Sequence, residues 1–125
     1  MPTYTGSCHC GQVTFELDGE IRGVMECNCS VCRRKGALWH AATHEQLRIT
    51  SGEADLGLYQ FGTMTAKHYF CKRCGMSPFS HPRLDPSRWV VNVRCLEGVD
   101  VKSLPVRLFD GEHWEDAAKA LLARR

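Results

Sequence analysis

Apolar and polar residues alternate along several short stretches of this chain, and a period of two marks a half-buried β-strand. Val13, Phe15 and Leu17 share one face, with Thr14, Glu16 and Asp18 on the other. Leu47 and Ile49 repeat the pattern ahead of a Ser51-Gly52 turn. Ala66, His68 and Phe70 alternate with Thr65, Lys67 and Tyr69, and Trp89, Val91 and Val93 with Val90, Asn92 and Arg94. Val106 and Leu108 predict a last strand. Turn formers separate these runs at Gly19, Gly23, Gly52, Gly62, Pro82, Pro86 and Gly98.

The period changes in two places. Ser30 is expected to cap a short helical turn through Lys35, with Gly36 as its left-handed stop. Trp114, Ala117, Ala118, Leu121 and Leu122 follow the spacing of one helix face, entered through an Asp110-Gly111 turn. No repeat, low-complexity tract or linker interrupts the pattern. The expected fold class is mostly β, as a single domain over residues 1–125 with short helical turns and a short C-terminal helix.

Composition changes this picture only through cysteine. Hydrophobic residues make up 43% and charged residues 24% of the 125, as in an ordinary globular chain. No apolar run is long enough to cross a membrane as a helix, and MPTYTGSCHC lacks the basic and apolar regions of a secretory signal. A cytoplasmic location is therefore expected. Eight cysteines in such a chain point to metal ligation or thiol chemistry rather than disulfides. The formal charge of +2 falls to about −1 if seven thiolates hold two Zn²⁺ ions, which removes most of the electrostatic case for nucleic acid.

The cysteines fall into groups: Cys8 and Cys10, then Cys27, Cys29 and Cys32, then Cys71 and Cys74, with Cys95 alone. Cys71-x-x-Cys74 has the spacing of a metal knuckle, and Gly75 can supply the positive φ of its turn. Cys8 and Cys10 can reach one ion if the strand curls between Gly6 and Gly11, and joining the two pairs gives a closed Cys₄ site. Zinc is the expected metal, and iron suits the same S₄ cage. Cys27, Cys29 and Cys32 can hold a second ion from one curled loop. Its fourth position is either filled by Cys95 or left open to an outside molecule, as catalytic zinc requires.

Read together, Gly6-Ser-Cys-His-Cys-Gly11, Cys27-Asn-Cys-Ser-Val-Cys-Arg-Arg-Lys-Gly36 and His68-Tyr-Phe-Cys-Lys-Arg-Cys-Gly75 resemble the glutathione-dependent formaldehyde-activating enzyme family. That family shares its domain with centromere protein V. The resemblance runs from Gly6 to about Phe109. It implies a β-tent of twisted antiparallel sheets and a structural zinc on Cys8, Cys10, Cys71 and Cys74. It further implies a catalytic-type zinc on Cys27, Cys29 and Cys32, and a carbon–sulfur lyase that forms S-hydroxymethylglutathione from formaldehyde and glutathione.

Other residues have both a functional and a plain reading. Arg33 can anchor a substrate carboxylate, or belong with Arg34 and Lys35 to a solvated helix face. His68 can donate a hydrogen bond to a metal ligand or sit packed in a strand, and His9 lies between two ligands whose site four thiolates already fill. Cys95 reads most simply as a small buried side chain, and Trp39, Phe79 and Trp89 as core. Two functions compete: a zinc enzyme acting on a thiol such as glutathione, and a non-catalytic zinc-stabilised module that binds protein or nucleic acid through Arg33–Lys35 and Lys72-Arg73.

Overall fold

A computed structural model describes residues 2–123; residues 1, 124 and 125 of the expected domain lie outside the described part. In chain order the first elements are β1 (Thr3–Ser7), β2 (Thr14–Asp18), β3 (Val24–Cys27), α1 (Ser30–Lys35), β4 (Trp39–Ala42), β5 (Leu47–Ser51) and β6 (Leu56–Tyr59). They are followed by β7 (Lys67–Cys71), β8 (Phe79–His81), β9 (Trp89–Asn92), β10 (Val106–Phe109) and α2 (Trp114–Leu122). Short 3₁₀ turns fill several of the connections.

The strands form two sheets, as the mostly β reading requires. β1, β2 and β5 make a three-stranded antiparallel sheet. The larger sheet has seven strands in the order β10-β3-β4-β9-β8-β7-β6, antiparallel except where β10 joins β3. The alternation read from the sequence marks the faces that meet. Val13, Phe15 and Leu17 are buried, as are Trp89, Val91 and Val93. Phe15 from the small sheet meets Phe79 from the large one edge-to-face, with ring centroids 5.3 Å apart. That geometry adds a directional aromatic contact to the area buried.

Two local expectations are corrected. The helix α1 is capped by Cys29 rather than Ser30: the Cys29 sulfur accepts from the Cys32 N–H. Gly36 ends the helix in the left-handed conformation, as its position predicts. The strand expected at Val106 and Leu108 forms, but it lies at the sheet's edge and Leu108 is 77% exposed. Its register partner Glu26 is also exposed, so no second layer among the described residues covers that corner. The C-terminal helix buries Ala118 and half-buries Trp114, Ala117 and Leu121, while Leu122 faces solvent.

Register assigns the large sheet two faces with different roles. Phe79 and Val91 are partners on the face toward the small sheet. On the opposite face lie Met25 beside Trp39, Ala41 beside Val90, Ser80 beside Val90 and His68 beside Ser80. Cys27 and Phe109, paired at the ends of β3 and β10, continue that second face. It is there that the chain builds a chamber.

Candidate functional site

The first sulfur cluster forms where two turns meet. Cys8 and Cys10 sit in the β1–β2 connection, and Cys71 and Cys74 at the end of β7 and in the turn after it. All four sulfurs lie within 4.8 Å of one another. Cys8 and Cys10 are 3.6 Å apart, and Cys10 and Cys71 3.7 Å. A tetrahedron with Zn–S bonds of about 2.3 Å places its sulfurs about 3.8 Å apart, so this donor set fits zinc without rearrangement. Backbone N–H groups support anionic sulfur: Val13 donates to Cys8 at 3.3 Å and Arg73 to Cys71 at 3.4 Å. Gly75, at φ 82°, lets the chain turn back so that its N–H reaches the Cys71 carbonyl at 2.8 Å. The cluster joins the small sheet to the large one.

The second group, Cys27, Cys29 and Cys32, also has its sulfurs within 4.8 Å of one another. β3 delivers Cys27, the cap position Cys29 and the first turn of α1 Cys32. Among the described residues no fourth His, Cys, Asp or Glu joins the group. Cys95 packs at the edge of the main core instead. Burial pushes its thiol up to about 11, with Cys8 and Cys74 as its charged neighbours. The two readings of the fourth position are thereby separated: Cys95 belongs to the neighbourhood of the first cluster.

Sequence reasoning missed what encloses this group. Asn28 reaches across to the link between β10 and α2: its Nδ2 donates to Asp110 at 3.0 Å, and its Oδ1 accepts from the Glu112 N–H at 3.0 Å. That clasp lays Gly111 against the cysteines, where a Cβ would stand 2.6 Å from the Cys27 sulfur and 2.7 Å from Cys29 Cβ. A turn signal was legible at Asp110-Gly111, but its contact across eighty residues was not.

The three cysteines open onto a cavity of about 680 Å³. Trp39, Phe61, Phe109 and Trp114 give it aromatic walls, and Arg33, His68 and Arg83 bring polar groups. Arg33 is exposed and has no ion-pair partner among the described residues. Arg83 is engaged, its guanidinium lying 3.8 Å over the Trp114 ring and donating to Glu115. Of the basic run after the cysteines, Arg33 and Arg34 are the solvated face expected, but Lys35 turns inward and donates to His68 Nδ1 and Ser77 Oγ, both at 3.0 Å. Trp39 therefore lines a chamber, Phe79 belongs to the core as read, and Trp89 does both, packing in the core and lining the cavity. His9 stands outside both clusters.

Residues 3–109 match the family of the glutathione-dependent formaldehyde-activating enzyme. The chain belongs to this family. It is also similar to a Rhodobacter sphaeroides protein of known crystal structure, with 42% identity and a TM-score of 0.75 over 82% of this chain and 99% of that one. Within this member of the formaldehyde-activating family, the cysteines that carry the resemblance are those gathered into the two clusters. The clusters use opposite faces of the large sheet: Cys71 pairs with core-facing Leu56, whereas Cys27 faces the chamber. No helix among the described residues is long and apolar enough to cross a membrane.

Proposed function

We propose that this protein is a single-domain zinc enzyme of the carbon–sulfur lyase class that joins a small thiol to an aldehyde, with glutathione and formaldehyde as the pair its family implies. The observation that carries this reading is the placement of three clustered sulfurs, without a fourth protein ligand among the described residues, on the wall of a large cavity. In this reading Cys8, Cys10, Cys71 and Cys74 hold a structural zinc, and Cys27, Cys29 and Cys32 hold a catalytic one. When bound, that metal supplies a site where a substrate thiol is deprotonated.

The chain's own residues do the rest. The aromatic walls exclude water and confine the two reactants, which lowers the entropic cost of bringing them together. Arg33, at the mouth and free of an ion pair among the described residues, holds a carboxylate of the thiol substrate. All eight cysteines are free, which suits a reducing compartment such as the cytoplasm.

The test is to follow S-hydroxymethylglutathione formation above the spontaneous rate by NMR exchange. Cys27→Ser should abolish the enhancement, and Arg33→Ala should raise KM about tenfold with kcat little changed. Equal rates with and without the wild-type protein, or tight salt-dependent binding of DNA that survives Cys27→Ser, would replace this reading with the binding-module one.

A further inference from the structure

His68 lies on the chamber face of β7, buried, with its ring stacked against Phe61 at 5.8 Å. Its two nitrogens have different surroundings. Nδ1 receives a hydrogen from Lys35 Nζ at 3.0 Å. Lys35 is the donor there, because an ammonium group has three hydrogens and no lone pair to accept with; a second of its hydrogens goes to Ser77 Oγ, which in turn donates to the Tyr69 carbonyl at 2.6 Å. A ring that accepts at Nδ1 carries its proton at Nε2. No described residue accepts from Nε2, and the His68 side chain lines the cavity shared with the three cysteines.

A second polar group stands beside it. Ser80 is the cross-strand partner of His68 on the same face and lines the same cavity. It is 1% exposed, and its hydroxyl has no hydrogen-bond partner among the described residues. A buried hydroxyl left unpaired is rare, and the unpaired Ser80 Oγ beside a histidine on the same cavity wall marks a place for a polar ligand atom.

We propose that His68 and Ser80 form an oxygen subsite of the chamber, where His68, fixed by Lys35 as the Nε2–H tautomer, donates to the carbonyl or hydroxymethyl oxygen of the substrate. This inference rests on the thiol–aldehyde reading above and assigns the oxygen end of that reaction. In the addition the sulfur electron pair forms the S–C bond, and the C=O π pair becomes a lone pair on oxygen. The proton released from the thiol ends on that oxygen, and no oxidant or reductant is consumed. His68 stabilises the growing negative charge by hydrogen bonding and keeps its own proton, as a preorganised donor does. Lys35 is a positioning residue that acts through the ring.

Two S-substituted ligands test the subsite: freshly prepared S-formylglutathione, which carries an oxygen on the carbon attached to sulfur, and S-methylglutathione, which does not. The holo protein should bind the first about tenfold more tightly by calorimetry. His68→Phe should erase that preference while leaving S-methylglutathione binding unchanged, and His68→Gln, which keeps a donor, should restore part of it. Long-range ¹H–¹⁵N spectra should show the Nε2–H tautomer for His68 in the wild type and a mixture in Lys35→Met. A preference that survives His68→Phe in a protein of unchanged melting temperature, or an Nδ1–H tautomer in the wild type, overturns the subsite alone. Failure of S-formylglutathione to bind a wild-type protein that does bind glutathione also overturns the subsite alone; if glutathione itself does not bind, the thiol reading fails and the subsite with it.

Discussion

Gly111 packs directly on Cys27: a methyl group at position 111 would lie 2.6 Å from the Cys27 sulfur, closer than nonbonded atoms approach. The glycine is required by space, since its backbone does not adopt positive φ. The Asn28–Asp110 hydrogen bond at 3.0 Å holds the two segments in that contact. One side of the three-cysteine group is thus closed by the last third of the chain.

Gly111→Ala should therefore damage the second cluster selectively. We expect the Cys₃ site to lose about tenfold or more in zinc affinity, the usual cost of overpacking by one methyl. The fold and the Cys₄ site should be retained. Competition with a chromophoric chelator, read as two separate release steps, measures this; a uniform weakening of both sites would contradict it.

The two clusters should differ in their hold on the fold. Cys8, Cys10, Cys71 and Cys74 tie the small sheet to the large one, and Cys8 and Cys71 are part of the main core. Cys71→Ser should leave the chain largely unfolded, because metal binding there is coupled to folding. Cys27→Ser should keep the near-ultraviolet circular dichroism of the wild type and most of its melting temperature. Chelation that strips all metal should reproduce the Cys71→Ser state.

His68 gives a pH signature. Burial, and next the charge of Lys35, hold its pKa down at about 4, from an ordinary 6.5. A folded state that resists protonation loses stability as pH falls below 6.5, and the loss levels off near pH 4, where the folded ring is protonated too. Its imidazole carbon-bound proton shifts should stay flat between about pH 5.5 and 8. In Lys35→Met the midpoint should rise, so that titration enters this window. A wild-type midpoint near 6.5 would contradict the buried, lysine-paired ring.

Strand alternation and cysteine spacing made much of this molecule legible from sequence. Val13, Phe15 and Leu17 point inward because a period-two pattern has one solution beside a buried face. The Cys71-x-x-Cys74 turn with Gly75 announces itself locally. What stayed hidden depends on long-range packing. Nothing near Lys35 shows that it turns inward to His68 thirty-three residues on. Nothing near Gly111 reports Cys27, and nothing near Leu108 shows that its strand lies uncovered at a sheet edge. Ser30 was the better cap by type, yet Cys29 takes the position because the cluster already needs its sulfur there.

Sulfur coordination of the zinc-loaded protein, measured by X-ray absorption with and without glutathione, distinguishes an open Cys₃ site from a closed one. With two ions bound, we expect an average of three and a half sulfurs and half a light atom per zinc, about 2.3 Å for Zn–S, rising to four sulfurs when glutathione is added. Four sulfurs per zinc before any thiol is added, unchanged afterwards, would contradict it.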